Sequence, residues 1–281
     1  MKHPKPCIFC GIRNATSKEH FWPQWLAPFL ISPEANAHIT EFRSAEGKQP
    51  QRLERHSERP GAVHTKKIRA VCAACNNGWM STLEFAVKQV LVPLLTSTEM
   101  TLSGTSLETL ALWVTVKSIV GEHATQSTAL TTPHDRRTLY ESNVIPCYFR
   151  IFVALHTLQT QTAYYRNSTT VSTHRTGPVP ALPDTIFRNI QATTFLVGPL
   201  CFYVTSSRVE GLSNAVLDPA TPMHRLWPDH AQHIDLSVTP PLAESEVYSV
   251  SRSLERFVEH PRVKYGGPLP RCNASETLLP L

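Results

Sequence analysis

Apolar positions recur at helical spacing in two neighbouring segments of the chain. From residue 79 to residue 94 they follow one another by three or four residues, which predicts an amphipathic helix with Asn77 as its N-cap. Residues 106–122 have the same periodicity and predict a second helix. Shorter helices are predicted over residues 22–30 and 243–259.

Stretches rich in β-branched and aromatic residues predict strands, most of them after residue 146. They lie at residues 148–155, 162–165, 169–171, 193–197 and 200–204, and we expect them to form an antiparallel sheet. Two earlier stretches, 38–43 and 63–69, alternate in polarity and predict the strands of a hairpin-like insertion. The predicted fold class is therefore α+β.

These elements predict two domains and a tail in a chain of 281 residues. The first domain covers residues 1–95 and contains a strand-rich insertion at about 30–70. An α+β domain of unknown role covers residues 100–265, and a Gly- and Pro-rich segment, 266–281, predicts an irregular tail. No apolar run approaches the roughly 18 residues of a membrane span, and no signal peptide is evident, so we expect a cytoplasmic protein without a membrane partner.

Positive charge is concentrated near the N-terminus, between positions 1 and 80. That segment holds 12 Lys and Arg against 6 Asp and Glu, a balance of +6, whereas the whole chain carries +5. The rest of the chain therefore sums to −1. Such a basic excess is typical of a phosphate-binding surface, and it is equally typical of a solvated basic face.

Two Cys-x-x-Cys pairs lie in this basic segment. They are Cys7 with Cys10 and Cys72 with Cys75. Within each pair, a tight turn can present both thiolates to one ion, and two pairs supply the four ligands of a tetrahedral zinc site. A site closed by four thiolates has no open position, so we expect structural zinc that ties residues near 10 to residues near 72.

Three polar residues follow these cysteine pairs at short range. Glu19 and Asn76 offer hard oxygen ligands of the kind that Mg²⁺ prefers, and His20 is a candidate general base for an attacking water. Adjacent residues of a strand point to opposite faces. Glu19 and His20 can therefore serve one site only where the strand is twisted or ends.

The order of these motifs resembles the HNH (ββα-metal) endonucleases, in particular their zinc-bearing four-cysteine branch. The matching residues are Cys7, Cys10, Glu19, His20, Pro23, Cys72, Cys75 and Asn76. The resemblance covers roughly residues 5–90 and implies a ββα-metal core, with the acid-His pair on a β-hairpin and Asn76 at the start of the following helix. The chain departs from the family's pattern in having Glu19 in place of the commoner Asp, a long gap between His20 and Cys72, and Met80 where a second histidine would bind metal.

The resemblance implies a hydrolase that cleaves double-stranded or branched DNA. Glu19 and Asn76 would hold a catalytic Mg²⁺ or Mn²⁺, His20 would activate water, and the products would carry a 5′ phosphate and a 3′ hydroxyl. The alternative is a zinc-knuckle module that binds nucleic acid or protein without catalysis. The region after residue 100 shows no readable chemistry, and substrate recognition, a homodimer contact and a protein partner are all open for it.

Overall fold

The protein is α+β in the part of the chain that the computed structural model describes. That part comprises residues 5–30, 37–44, 52–60, 65–124, 129–159, 162–169, 189–209, 217–228 and 233–254, with the backbone alone described in 37–44 and 52–60. The helices are α1 (Ala73–Cys75), α2 (Ser81–Leu95), α3 (Thr105–Glu122), α4 (Pro133–Ser142) and α5 (Glu244–Ser251). The strands are β1 (Glu19–His20), β2 (Ala37–Ser44), β3 (Arg52–Pro60), β4 (Lys67–Ile68), β5 (Thr101–Ser103), β6 (Phe149–Leu155), β7 (Thr162–Thr169), β8 (Ile190–Val197), β9 (Leu200–Ser207), β10 (His224–Trp227) and β11 (His233–Asp235).

A five-stranded antiparallel sheet forms the C-terminal half, in the order β10-β6-β9-β8-β7. Side chains alternate along each strand, so the sheet has two apolar faces. Phe195 and Phe202 belong to the cluster on the α3 side, where Trp113 packs 6.4 Å from each ring. The opposite face is covered by apolar residues of α5, including Val247 and Val250.

Helix α3 is the central element of the molecule. Fourteen of its 18 residues are buried, because it packs between α2 on one side and the sheet on the other. One hydrophobic cluster runs from Cys7 and Trp22 through α2 and α3 to Phe149. This cluster joins residues on both sides of position 100, and the predicted division into two domains stays a prediction. No helix in the described ranges has the length and apolar character needed to cross a membrane.

The helix predictions agree with the structure at α2 and α3. The segment predicted at residues 22–30 forms a 3₁₀ helix, Gln24–Phe29, and the last helix begins at Glu244 as expected. The positions beyond 254, with the predicted tail, lie outside the described residues. Helix α4 was missed although Thr132 and Asp135 form a capping box at its start, because its apolar positions are few.

The insertion contains a hairpin whose second strand differs from the prediction. Strand β2 agrees with the segment predicted at 38–43, but it pairs with β3, and residues 67–68 of the other predicted segment pair with β1. Strand β3 was missed because its charged residues hide the alternation that marks a strand. The two-residue pairing of β1 with β4 closes the insertion at its base.

A buried polar cluster holds the C-terminal end of α3. Glu122 is fully buried, and its Oε2 accepts hydrogen bonds from the amides of Leu130 and Thr131 and from the Thr131 hydroxyl, at 3.1, 3.0 and 2.7 Å. Its Oε1 accepts one from Nε2 of Gln191 on β8, at 2.6 Å. Four donors therefore satisfy one buried carboxylate, and they tie α3 to the sheet and to the segment before α4.

His123, the next residue, makes stability depend on pH. Burial lowers its pKa to about 3, and the positive charges of Arg136 and Arg166 act in the same direction. Both ring nitrogens are buried without a hydrogen-bond partner in the described structure. The unfolded chain takes up this proton near pH 6.5, whereas the folded protein does not, so stability is lost as the pH falls from 6.5 towards 3.

We expect wild-type protein to lose about 3 kcal/mol more stability than His123→Leu between pH 7 and pH 4, since the leucine variant cannot take up this proton. Urea unfolding at the two pH values measures the difference. His134→Leu, at an exposed position of α4, is the control and should retain the wild-type pH dependence. Equal pH dependence in wild type and His123→Leu would contradict the prediction.

Candidate metal centre

The first cysteine pair forms a tight turn near the N-terminus. The amide of Gly11 donates to the carbonyl of Cys7 at 3.0 Å, and the amide of Cys7 donates to the carbonyl of Arg13 at 2.7 Å. Gly11 has a φ of +68°, the left-handed conformation that a glycine adopts without strain. The turn thereby places the Cys7 and Cys10 side chains on the same side of the chain.

The second pair begins a helix. Cys72 is the extended N-cap of α1, and its Sγ accepts a hydrogen bond from the amide of Cys75 at 3.4 Å. The amide of Asn76 donates to the carbonyl of Cys72 at 3.0 Å, and the chain continues through a π-helical turn, Asn76–Met80, into α2. The prediction that Asn77 caps this helix is therefore wrong. Cys72 caps α1, so Asn76 lies about one turn after that cap, and the segment bends at Gly78 before α2 begins.

The four cysteines converge on one point. Their sulfur atoms lie within 4.8 Å of one another, all four residues are buried, and the Sγ atoms of Cys10 and Cys72 are 3.8 Å apart. A tetrahedral zinc ion with Zn–S bonds of about 2.3 Å separates its ligands by about 3.8 Å. The thiolate donor set and the spacing thus fit a structural metal such as zinc.

The ionisation of these thiols shows why a cation suits the site. Burial raises the pKa of Cys75, and the nearby charge of Cys7 raises it further. Burial also raises the pKa of Cys7, whereas at Cys10 the amides of Arg13 and Ile12 outweigh burial and lower the pKa to about 7. Four buried thiolates repel one another, and a divalent ion at their centre offsets both the repulsion and the loss of hydration.

Helix α4 packs against this centre and holds its shape. Nε of Arg136 donates to the carbonyl of Ile8, inside the first cysteine pair, at 2.8 Å. Trp79 lies edge-on to Phe9 and to Tyr140, with ring centroids 4.9 and 5.7 Å away, and its Nε1 donates to Oδ1 of Asn143 at 2.9 Å. A helix far along the chain therefore supports the cluster formed by the two cysteine pairs.

Glu19 and His20 form the strand β1, directly beside the segment that leads to Cys72. Glu19 pairs with Ile68 and His20 with Lys67, and the amide of Ser17 donates to the carbonyl of Val71 at 3.1 Å. The strand has only two residues and ends at His20. This pairing brings the predicted acid-His pair close to the second cysteine pair along the backbone.

The carboxylate of Glu19 is buried and ion-paired. Its Oε1 lies 3.3 Å from Nζ of Lys117 on α3, and the same Nζ lies 2.8 Å from Oε1 of Glu84 on α2. Lys117 is fully buried, whereas Glu84 is partly exposed. The pKa of Glu19 is raised, because burial of the carboxyl outweighs the positive charge of Lys117, which lowers it. The negative charge of Glu84 raises it further.

The other two predicted site residues have different neighbours. Nε2 of His20 lies 3.4 Å from Nε2 of Gln24, in the 3₁₀ helix that follows β1. The side-chain amide of Asn76 donates to Oδ1 of Asn77 at 3.2 Å. The structure thus pairs Glu19 with Lys117 and Asn76 with Asn77, and the convergence of Glu19, His20 and Asn76 on one ion stays a prediction.

Lys117 and Glu84 were missed by the sequence analysis. Lys117 lies among Trp113, Val116, Ile119 and Val120 in the middle of α3, and a charge among such apolar residues is a signal of a buried ion pair. The sequence does not indicate that Glu19 is its partner, because Glu19 is 98 residues away in the chain.

No family model, no curated protein and no solved structure matches the chain.

Proposed function

We propose that this protein is a metal-dependent endonuclease of the HNH type that hydrolyses DNA. The observation that carries the proposal is the antiparallel pairing of the Glu19–His20 strand with Lys67–Ile68, next to the four-cysteine cluster. A two-stranded ribbon followed by a helix, with the acid and the imidazole on the first strand, is the order of elements that a ββα-metal core requires. The basic balance of the segment 1–80 also supports a phosphate-containing substrate.

In this proposal each residue has one role. His20 takes the proton of the attacking water, which its position at the end of a two-residue strand allows, since the chain turns directly after it. Glu19 and Asn76 supply oxygen ligands for Mg²⁺ or Mn²⁺. Among the described contacts of Glu19, Lys117 uses Oε1, so Oε2 is the oxygen left for a metal. The ion, when bound, would stabilise negative charge on the phosphate and on the leaving 3′ oxygen.

The zinc centre has a structural role in this proposal. Four thiolates close its coordination, so it offers no position to water or substrate. It joins the first cysteine pair to the start of the helix that carries Asn76. His20 and Cys72 are far apart in the sequence. Zinc would join the two cysteine pairs that flank this separation, and the β1–β4 pairing joins the strands just inside them.

Nicking of supercoiled plasmid DNA tests the nuclease. We expect wild-type protein to nick the plasmid in Mg²⁺ or Mn²⁺, and His20→Ala to lose about 10²-fold or more, because general-base catalysis contributes that much. His134→Ala removes an exposed imidazole of α4 and should cut as the parent does. The proposal fails if the purified protein cuts nothing, or if His20→Ala is as active as the parent.

A second candidate is a zinc-knuckle module that binds nucleic acid or protein without catalysis. The ion pair between Glu19 and Lys117 favours it, because a buried ammonium 3.3 Å from the carboxylate competes with a divalent ion for the same charge. In that case Glu19 is a structural residue. The protein would then bind its partner equally well with His20 or Ala at position 20, and no cleavage would accompany binding.

A further inference from the structure

The β2–β3 hairpin separates charge between its two faces. It is a sheet of two strands, and the register pairs His38 with Arg59, Thr40 with Ser57 and Phe42 with Arg55. Because successive residues of a strand alternate between faces, these six positions share one face. We name it the cationic face; these positions include two arginines and a histidine but no acidic residue.

The opposite face has the reverse character. The register there pairs Ile39 with Glu58, Glu41 with His56 and Arg43 with Leu53, so this acidic face holds two acidic residues and one arginine, a balance of −1. Glu54 lies at the bulge and is assigned to neither face. The cationic positions carry +2, from Arg55 and Arg59, against −1 on the acidic face, so the cationic face is the side that attracts a polyanion.

The dimensions of the hairpin suit duplex DNA. Eight residues of strand extend about 26 Å, and the major groove of B-DNA admits a two-stranded ribbon. Arg55 and Arg59 are four residues apart on β3, so they lie about 13 Å apart along it. Nucleotides of one DNA strand rise by about 3.4 Å each, so the spacing of the two positions exceeds that of neighbouring phosphates.

We propose that the cationic face of the β2–β3 hairpin is a DNA-binding surface, with Arg55 and Arg59 neutralising phosphates of a duplex. The partner, DNA, rests on the proposed function, whereas the face rests on the register of the hairpin.

Salt dependence of DNA binding tests the proposal. Binding of a duplex of about 30 base pairs, which is about three helical turns, is measured at several salt concentrations. The buffer contains neither Mg²⁺ nor Mn²⁺, so that cleavage does not contribute. Each phosphate contact contributes about 0.9 to the slope of log affinity against log salt. We expect Arg55→Gln to weaken binding and to reduce the slope by about one, and Arg55→Gln with Arg59→Gln to reduce it by about two.

Arg43→Gln is the matched control, because it removes the same charge from the same hairpin. The register pairs Arg43 with Leu53, beyond the bulge and on the acidic face, so it should leave the slope unchanged. The proposal is overturned if Arg43→Gln lowers the slope as much as Arg55→Gln, or if no arginine variant lowers it. Weaker binding with an unchanged slope would also overturn it, since it would report altered folding.

This test is separate from that of the nuclease. A protein that binds through Arg55 and Arg59 but never nicks plasmid retains the DNA-binding surface and loses the nuclease assignment. A protein that nicks plasmid through His20 but binds equally well without both arginines retains the nuclease and loses the surface.

Discussion

Cys72→Ser should abolish zinc binding and unfold the part of the protein built around the four cysteines. The free energy of binding structural zinc is about 10 kcal/mol or more, and it is folding energy where the site does not exist in the unfolded chain. Cys72 also caps α1 through its Sγ, so its loss acts on the start of the helical segment as well. Zinc content per chain and thermal unfolding, each with and without a chelator, measure the effect.

Cys201→Ala is the control for this substitution. Cys201 is fully buried in β9, on the sheet face away from α3, and is not part of the four-cysteine cluster. Its loss should leave zinc content at one ion per chain and cost only the packing of one small side chain. The assignment of a structural metal would be contradicted by less than one tightly bound zinc per wild-type chain. A Cys72→Ser protein that is stable without zinc would also contradict it.

Lys117→Met should destabilise the protein by about 3–5 kcal/mol, the cost of removing one partner of a buried ion pair. The methionine approaches the length of the lysine and fills most of its space, but it leaves the carboxylate of Glu19 buried without its cation. Glu84 loses its contact at the same time, although it is partly exposed and can be hydrated. Chemical denaturation at neutral pH measures the loss.

The double variant Lys117→Met with Glu19→Gln separates the ion pair from simple packing. Removing the second charge should recover a substantial part of the lost stability, because a neutral amide is less costly to bury than a carboxylate. Lys88→Met, at an exposed position of α2, is the control and should change stability little. If the double variant is no more stable than Lys117→Met, the lysine acts through packing and the ion pair is not its main contribution.

The Glu19→Gln substitution also bears on the choice between the nuclease and the binding module. Recovery by Glu19→Gln would establish the ion pair, which both candidates contain, whereas a stable Glu19→Gln protein that still nicks plasmid would show that Glu19 has no catalytic role. A Glu19→Gln protein that is stable but no longer nicks plasmid would favour the nuclease. The same residue therefore distinguishes the two candidates, provided that stability and nicking are measured on the same preparations.

Helices and strands with strong apolar periodicity were predictable from the sequence. The helix at 106–122 and the strands that became β6, β8 and β9 are buried along most of their length, so their apolar residues are dense. Elements with few apolar residues were missed. Helix α4 depends on its capping box and on Arg136, and strand β3 depends on its pairing with β2.

The sequence by itself determined the parts of the site that are local. Two residues between the cysteines of each pair permit a turn or a helix start that aims both sulfurs the same way, and this spacing is visible in the chain. The tertiary structure decided which groups meet across long separations. It brought Lys117 to Glu19, Arg136 to the first cysteine pair and Arg55 to the same hairpin face as His38. Such contacts depend on how helices pack and in what register strands pair. Both are set by many residues of the two partner elements together, so no local stretch of sequence reveals them.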